Sequence, residues 1–315
     1  MVTNLNCLIC SNSELKQISN NHKLDNFKEN FILESCQSCN HVSIKNKPNE
    51  DQLTDYYKKE FWGAKVNNYN SNLEWNKILT SSTSAHERFI RSKKQYRYIT
   101  SKIRLSSNSK IIDIGSGFAP ILYHFNKSNY NNLYALDLDQ DICKYLKRQR
   151  INSINSSLEK LSTSNSRFDL IIVSHTLEHV ADPKLFLKLI KKISKNNTTL
   201  FIEVPYKDYL EPFNENLHLN FFSKKSLSKA LENSNFALKD IEVDHHNFLD
   251  KLFLKLLFYI YGKFFFKSNR SINSRSKTIE FLHFFWRPLK YILSSKVNIH
   301  ISRKNLRSIS SFVKK

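Results

Sequence analysis

The sequence predicts an α/β protein: a doubly wound, mostly parallel sheet behind a small cysteine-paired module. Two observations carry that expectation. From Lys110 onward, short apolar runs alternate with stretches of helical periodicity, the pattern of strands joined by helical crossovers. Before that point lie two Cys-x-x-Cys pairs in a segment with few apolar runs.

In chain order, residues 1–62 form the cysteine module, ending in the aromatic cluster Tyr56, Tyr57, Phe61 and Trp62. Residues 63–106 read as a polar connector and a helix over 85–103, with Phe89, Tyr96, Ile99 and Ile103 at helical spacing. Residues 107–243 hold the sheet. Its strands are expected at Lys110–Ile114, Leu133–Leu136, Phe168–Val173, Thr199–Val204 and Phe236–Val243. Helices are expected at Ile121–Lys127, Gln140–Gln149, Pro183–Ile193 and Lys224–Glu232. A basic, aromatic helical insert over 244–295 precedes a last strand at Lys296–Ser302, within 296–315.

Cys7-Leu8-Ile9-Cys10 and Cys36-Gln37-Ser38-Cys39 are paired knuckles. Four thiolates on two tight turns complete a tetrahedral zinc site with no open position, so the metal is structural, as in a zinc ribbon. In a module with little core, metal binding supplies much of the folding energy. Cys143 falls in an expected helix and reads as a core residue. Five cysteines in 315 residues do not make a disulfide scaffold.

The net charge is +21, part of which follows from a composition rich in Lys and Asn. It is uneven: residues 245–315 carry 15 Lys or Arg against Asp250 and Glu280. The most apolar stretch, Phe248–Phe266, is broken by Lys251, Lys255 and Lys263, so it does not read as a membrane span. A helix over Leu249–Lys267 gathers its lysines on one face. That arrangement suits a membrane interface through 248–293, packing on the core, or a dimer contact. No signal peptide is read, so the expected location is cytoplasmic, with the inner face of the membrane open to peripheral contact. The oligomeric state is not legible.

Ile111-Ile112-Asp113-Ile114-Gly115-Ser116-Gly117-Phe118-Ala119-Pro120 is a strand, a glycine turn and a helix start. Glycines let a ligand approach the backbone, and the helix N-terminus offers free N–H groups. A dinucleotide fingerprint needs glycine at position 120, where Pro120 stands, so a nicotinamide cofactor is disfavoured. Asp113 suits a cationic group. Asp137, closing the next strand, suits the hydroxyls of a ribose.

These residues resemble the class I S-adenosylmethionine-dependent methyltransferase family, over about 110–240 plus the final strand. The resemblance implies a seven-stranded sheet and S-adenosyl-L-methionine as cofactor. It assigns Asp113, Gly115 and Gly117 to the first motif and Asp137 to the ribose. The adenine-binding segment falls at Ser156, Ser157 and Leu158, with Ser157 where an acid is usual. Ser174, closing the fourth strand, joins the cofactor-binding set. His175 follows it, in a Leu177-Glu178-His179-Val180 context similar to the family's fourth-strand signature, and is expected near cofactor or acceptor. Glu178 and His179 read equally as residues that structure the loop.

The run His218-Leu219-Asn220-Phe221-Phe222-Ser223 resembles a narrower group, the sugar-modifying methyltransferases. It implies His218 as general base, since a sugar hydroxyl or a carbon beside a carbonyl must lose a proton. Leu217 stands where relatives carry Glu, and Glu215 is a candidate substitute. Members of that group also carry an N-terminal zinc-binding module that helps cover the active site. The expected substrate is therefore a sugar, nucleotide-linked or on a lipid-linked glycan, methylated at oxygen or carbon. Alternatives are an rRNA or tRNA methyltransferase and a non-catalytic cofactor-binding protein of the same fold. Nucleic acid is disfavoured, because the charge concentrates in an apolar-aromatic block.

Metal analysis of the purified chain is expected to give one zinc per chain. A folded protein free of metal would defeat the knuckle reading.

Overall fold

Two sheets organise the described residues, and the element that joins them is the shortest strand among those residues. The computed structural model describes residues 6–24, 27–56, 74–79, 83–210, 217–245 and 306–314. By contact the chain divides into Met1–Val243 with Ser308–Lys315, and Asp244–Arg307. The second unit lies almost wholly outside the described residues, and the insert expected at 244–295 and the strand expected at Lys296–Ser302 fall there.

The N-terminal part holds β1 (Leu15–His22), β2 (Phe31–Cys36) and β3 (Val42–Ile44), then the short helix α1 (Glu50–Tyr56). Helix α2 (Trp75–Leu79) and the twenty-residue α3 (Thr83–Lys102) lead into the large sheet. That sheet opens with β4 (Ile111–Ile114), α4 (Pro120–Lys127), β5 (Leu133–Asp137), α5 (Gln140–Arg148), β6 (Asn152–Asn155) and α6 (Leu158–Ser162). It continues with β7 (Phe168–Ser174), α7 (Pro183–Lys192) and β8 (Ser194–Pro205). Then come β9 (Asn220–Phe221), α8 (Lys224–Asn233), β10 (Ala237–His245) and β11 (Leu306–Lys314).

The seven-stranded order is β10-β11-β8-β7-β4-β5-β6. Strands β6, β5, β4, β7 and β8 pair in parallel, and β11 lies antiparallel on β8. The order reverses between β4 and β7, where open α/β sheets bind ligands at their C-terminal ends.

The central strands are continuous apolar runs because both faces are covered. Along β7, Leu170 and Ile172 face Ile99, Phe125 and Leu146, from α3, α4 and α5. Ile171 and Val173 face Leu187, Ile190, Leu227 and Leu231, from α7 and α8. Alternation of this kind is the period of two in a pleated strand. Each fully buried aliphatic side chain stabilises the fold by roughly 1.5–3 kcal/mol.

Local chemistry starts the helices where the sheet needs them. Pro120 and Pro183 sit in first turns, where a missing N–H is harmless. Asp139 accepts from Asp141 and Ile142 N–H at 2.8 and 3.0 Å. Asp182 accepts from Lys184 and Leu185 N–H at 2.9 and 3.0 Å. Ser223 and Ser226 cap α8 reciprocally. Cys143 is buried in α5, as its pattern implies.

The small sheet runs β1-β2-β3-β9, so its last strand comes from the distant part of the chain. Val42 pairs with Phe221 and Ser43 with Asn220. On the far side of that segment, Leu219 N–H donates to Glu178 O at 2.9 Å. From Leu217 to Phe222 every residue is buried.

Candidate active site

The turn after β4 is stitched to β5. Gly115 and Ser116 both donate to Leu136 O, at 2.9 and 3.2 Å, and Gly117 N–H donates to Asp137 Oδ2 at 2.8 Å. Gly115 and Gly117 have φ of 67° and 52°, the left-handed region that favours glycine. A Cβ at Gly115 would stand 2.6 Å from Thr176 Oγ1, a hydroxyl already donating to Ile114 O at 3.0 Å. The turn is therefore fixed from β7 as well as from β5. Trp75 adds a third brace, donating Nε1–H to Phe118 O at 2.8 Å.

Asp113 and Asp137 are both buried at this edge. Burial pushes the Asp113 carboxyl well above its usual range, and the Asp137 charge pushes it further. Asp137 is also raised by burial, against the hydrogen bonds it accepts from Asp139 and Gly117. Two desolvated carboxyls side by side favour a cation or hydroxyl donors as ligand. The α-ammonium and ribose of S-adenosylmethionine offer both, so the residues fit the cofactor.

At the end of β6 the two serines differ in their hydrogen bonds. Ser157 caps α6, accepting from Lys160 N–H at 3.3 Å, and Leu158 is buried. It is Ser156 whose buried hydroxyl has no hydrogen-bond partner. Both serines belong to the segment expected to meet the adenine, and nothing in a Ser-Ser pair says which hydroxyl the helix will use.

Beyond β7, Ser174 Oγ accepts from Gln95 Nε2 at 2.8 Å, and the same amide donates to Glu203 Oε1 at 2.6 Å. His175 adopts φ of 53° and is flanked by two carboxylates. Its Nδ1 lies 3.3 Å from Glu178 Oε1, and its Nε2 lies 3.3 Å from Glu203 Oε1. Burial opposes the imidazolium and so does Arg91, yet the two carboxylates outweigh them and raise the pKa. Arg91 Nε is itself 3.7 Å from Glu203 Oε1. Gln95 and Arg91 lie on α3, too far away in sequence for any local motif to reveal them.

His218 is buried just before β9. Its carboxylate partner is Asp208, which accepts from Nδ1–H. Glu215, the substitute suggested by the sequence, lies outside the described residues. The ring of His179 meets that of His218 edge-on at 4.8 Å. His179 Nδ1–H donates to Leu217 O at 2.7 Å, so it ties two segments together instead of bonding within its own loop. Burial, with the neighbouring His218, holds His179 down at about 4.

The cysteines form a separate centre. Cys7 and Cys39 Sγ are 3.6 Å apart, Cys10 and Cys36 Sγ 3.5 Å, and all four lie within 4.8 Å of one another. These separations are too long for disulfides. They are close to the edge of a tetrahedron with Zn–S bonds of about 2.3 Å. The two knuckles are built alike. Cys7 O accepts from Ser11 N–H and Cys36 O from Asn40 N–H, both at 2.9 Å. Cys7 N–H donates to Asn12 O and Cys36 N–H to His41 O, both at 2.8 Å. Contact with Cys39 pulls Cys7 down to about 5, and the same contact, with burial, pushes Cys39 up. The donor set fits a structural zinc ion.

The module also touches the His218 segment directly. His41 Nε2 and Asn220 Oδ1 are 3.3 Å apart, and Asn220 Nδ2 donates to Val180 O at 2.7 Å. Asn233 Nδ2 donates to Ile9 O at 2.9 Å, between the first two cysteines.

Strand order, glycine turn and paired acids together define a class I S-adenosylmethionine-dependent methyltransferase fold. Residues 85–241, just under half of the chain, match the family model described as a methyltransferase domain. The chain is accordingly a methyltransferase. Among solved structures, it is similar to the 1,6-didemethyltoxoflavin-N1-methyltransferase of Burkholderia thailandensis, at 12% identity and a TM-score of 0.50. That likeness covers 94% of this chain and 99% of the other. An S-adenosylmethionine-dependent methyltransferase from Archaeoglobus fulgidus matches at 19% identity and a TM-score of 0.46, over 72% of this chain and 94% of its own. One from Mesorhizobium loti matches at 12% identity and the same score, over 70% and 96%. No curated protein matches the chain.

Asp137→Ala is expected to weaken S-adenosylhomocysteine binding by calorimetry. Unchanged affinity would remove Asp137 from the ribose site.

Proposed function

We propose that the chain methylates a sugar, nucleotide-linked or carried on a lipid-linked glycan, at oxygen or carbon, with His218 as the proton acceptor. The observation that carries this reading is the buried Asp208–His218 pair. Asp208 holds Nδ1 protonated, which leaves Nε2 with its lone pair. When bound, S-adenosylmethionine supplies an electrophilic methyl group on a sulfonium. A sugar hydroxyl, or a carbon beside a carbonyl, attacks it poorly until a base removes its proton.

The remaining residues position the reactants. The Asp113–Gly117 turn and Asp137 take the nucleoside, and the hydroxyl of Ser156 and the backbone near Leu158 are available to the adenine. Ser174 and His175 close the methionine side, with His175 oriented by Glu178 and Glu203. Holding reactants in line supplies much of the acceleration in a displacement of this kind.

The peripheral membrane reading rests on residues 248–293, outside the described residues. Among those described, no helix is long and apolar enough to cross a membrane.

Two measurements test this function. Against a panel of nucleotide sugars and lipid-linked glycans, His218→Ala is expected to cut turnover by about 10²- to 10⁴-fold while sparing S-adenosylhomocysteine affinity. Full activity of that variant, or methylation of RNA alone, would overturn the assignment. Deleting 248–293 is expected to abolish association with anionic liposomes, and retained association would place the contact elsewhere.

A further inference from the structure

The residue that follows β7 has a backbone held against its preference. His175 has φ of 53°, in the left-handed region that a non-glycine residue adopts at a cost. Such a conformation persists only where its surroundings fix it. Here the neighbouring strand fixes the main chain. Ser174 pairs with Glu203 across β7 and β8, and His175 N–H donates to Glu203 O at 2.9 Å.

The side chain is fixed by the same residue and by one other. Its Nε2 lies 3.3 Å from Glu203 Oε1, and its Nδ1 lies 3.3 Å from Glu178 Oε1. A ring that turns one nitrogen to each of two carboxylates suits both only when both nitrogens carry a proton. Glu203 is anchored in turn from α3, where Gln95 Nε2 donates to it at 2.6 Å and Arg91 Nε stands at 3.7 Å. Burial opposes the charge of Glu178, and His175 outweighs it, with His179 and His218 adding to the effect.

The next residue reaches the glycine turn. Thr176 Oγ1 donates to Ile114 O at 3.0 Å. Its Oγ1 and Cγ2 would stand 2.6 and 2.9 Å from a Cβ on Gly115, so Thr176 packs directly on that glycine. Its place there depends on the φ of His175. A return of His175 to negative φ would redirect the chain after it and lift Thr176 from the turn.

We propose that His175, clasped between Glu178 and Glu203, is a positioning residue that holds the Gly115 turn closed through Thr176, a role that rests on the assignment of Asp113–Gly117 to S-adenosylmethionine. Among the described residues, the charged groups around its ring are Glu178 and His179 on its own loop, Glu203 on β8 and Arg91 on α3. Burial and Arg91 oppose a charge on the ring, and the two carboxylates overcome them, so the pKa of His175 stands above the ordinary histidine value. The ring is 24% exposed, which lets its proton exchange with solvent. Loss of that proton removes one nitrogen donor and the charge that draws both carboxylates to the ring. The clasp is therefore complete at low pH and fades as pH rises through the raised pKa.

Calorimetry of S-adenosylhomocysteine binding to the full-length chain, between about pH 6 and about pH 9, tests the clasp. Affinity is expected to fall about fivefold or more across that window. His175→Asn keeps a side chain that tolerates the left-handed region but does not titrate. It is expected to bind more weakly at the acid end and to give a flatter profile. The ligand, Asp113 and Asp137 titrate in both proteins, so the difference between the two profiles belongs to His175. In a Thr176→Val background the loss caused by His175→Asn is expected to shrink, because both changes release the same turn. Nuclear magnetic resonance of the unmodified chain carries the test if His175→Asn does not fold. The His175 ring is expected to titrate above the ordinary histidine range, and higher again with S-adenosylhomocysteine bound, since linkage is reciprocal. An ordinary titration unmoved by the ligand would overturn the proposal, as would matching pH profiles in the folded variant or strictly additive losses with Thr176→Val. Absence of binding at every pH would sink the cofactor pocket and the clasp with it, an outcome distinct from binding that ignores pH.

Discussion

The segment Leu217–Phe222 is held from two sides, and the architecture of the site depends on it. One side pairs with β3 of the cysteine module through Val42–Phe221 and Ser43–Asn220. The other receives Leu219 N–H on the carbonyl of Glu178. A buried backbone must satisfy its polar groups, and here each neighbour satisfies some of them. His218 sits at the centre of this clamp. The pairing reaches across a wide sequence separation, so the cysteine module contributes to the position of the His218 segment.

A second constraint is electrostatic. Asp113, Asp137, Glu178 and Glu203 all lie buried at the C-terminal edge of the sheet. Burial raises Asp113 and Asp137, whereas Glu178, despite its burial, is held at about 2 by His175 and its neighbouring histidines. One half of the edge thus favours a cationic ligand between carboxyls, and the other half is already supplied with imidazoles. Buried titratable groups gathered at one edge of a sheet mark it as a candidate functional site.

Much of this was legible in the sequence, for reasons specific to each element. Strands β4, β5, β7 and β8 are sandwiched between helices and so read as short, mainly apolar runs. Helices α4, α5, α7 and α8 announce themselves through Pro or a capping Asp or Ser. Strand β6 escaped because its sequence, Asn152-Ser153-Ile154-Asn155, is polar, as befits the edge of a sheet with Asn152 and Asn155 exposed. Strands β1 and β2 escaped because their pairing slips register, which blurs any alternation. The closing strand expected at Lys296–Ser302 lies outside the described residues, and the last described strand is Leu306–Lys314. Within the site, the glycine turn and its acids could be named from spacing alone, because a strand end, a tight turn and a helix start are local events. Asp208 could not be, since only the folded loop delivers it to His218. Nor could spacing decide between Ser156 and Ser157, a choice made by which hydroxyl α6 recruits as its cap.

The pairing of β3 with β9 also has a meaning for synthesis. Ser43 leaves the ribosome about 180 residues before Asn220, an interval of roughly 10–40 s at ordinary elongation rates. Throughout it, β3 has β2 on one flank and an unsatisfied ladder on the other, the kind of open border that recruits foreign strands. Early capture of zinc by the two knuckles would keep the nascent hairpin rigid while it waits. Metal scarcity would then show first as failed biogenesis, through aggregation of newly made chains, and only later as a loss of catalysis in molecules already complete.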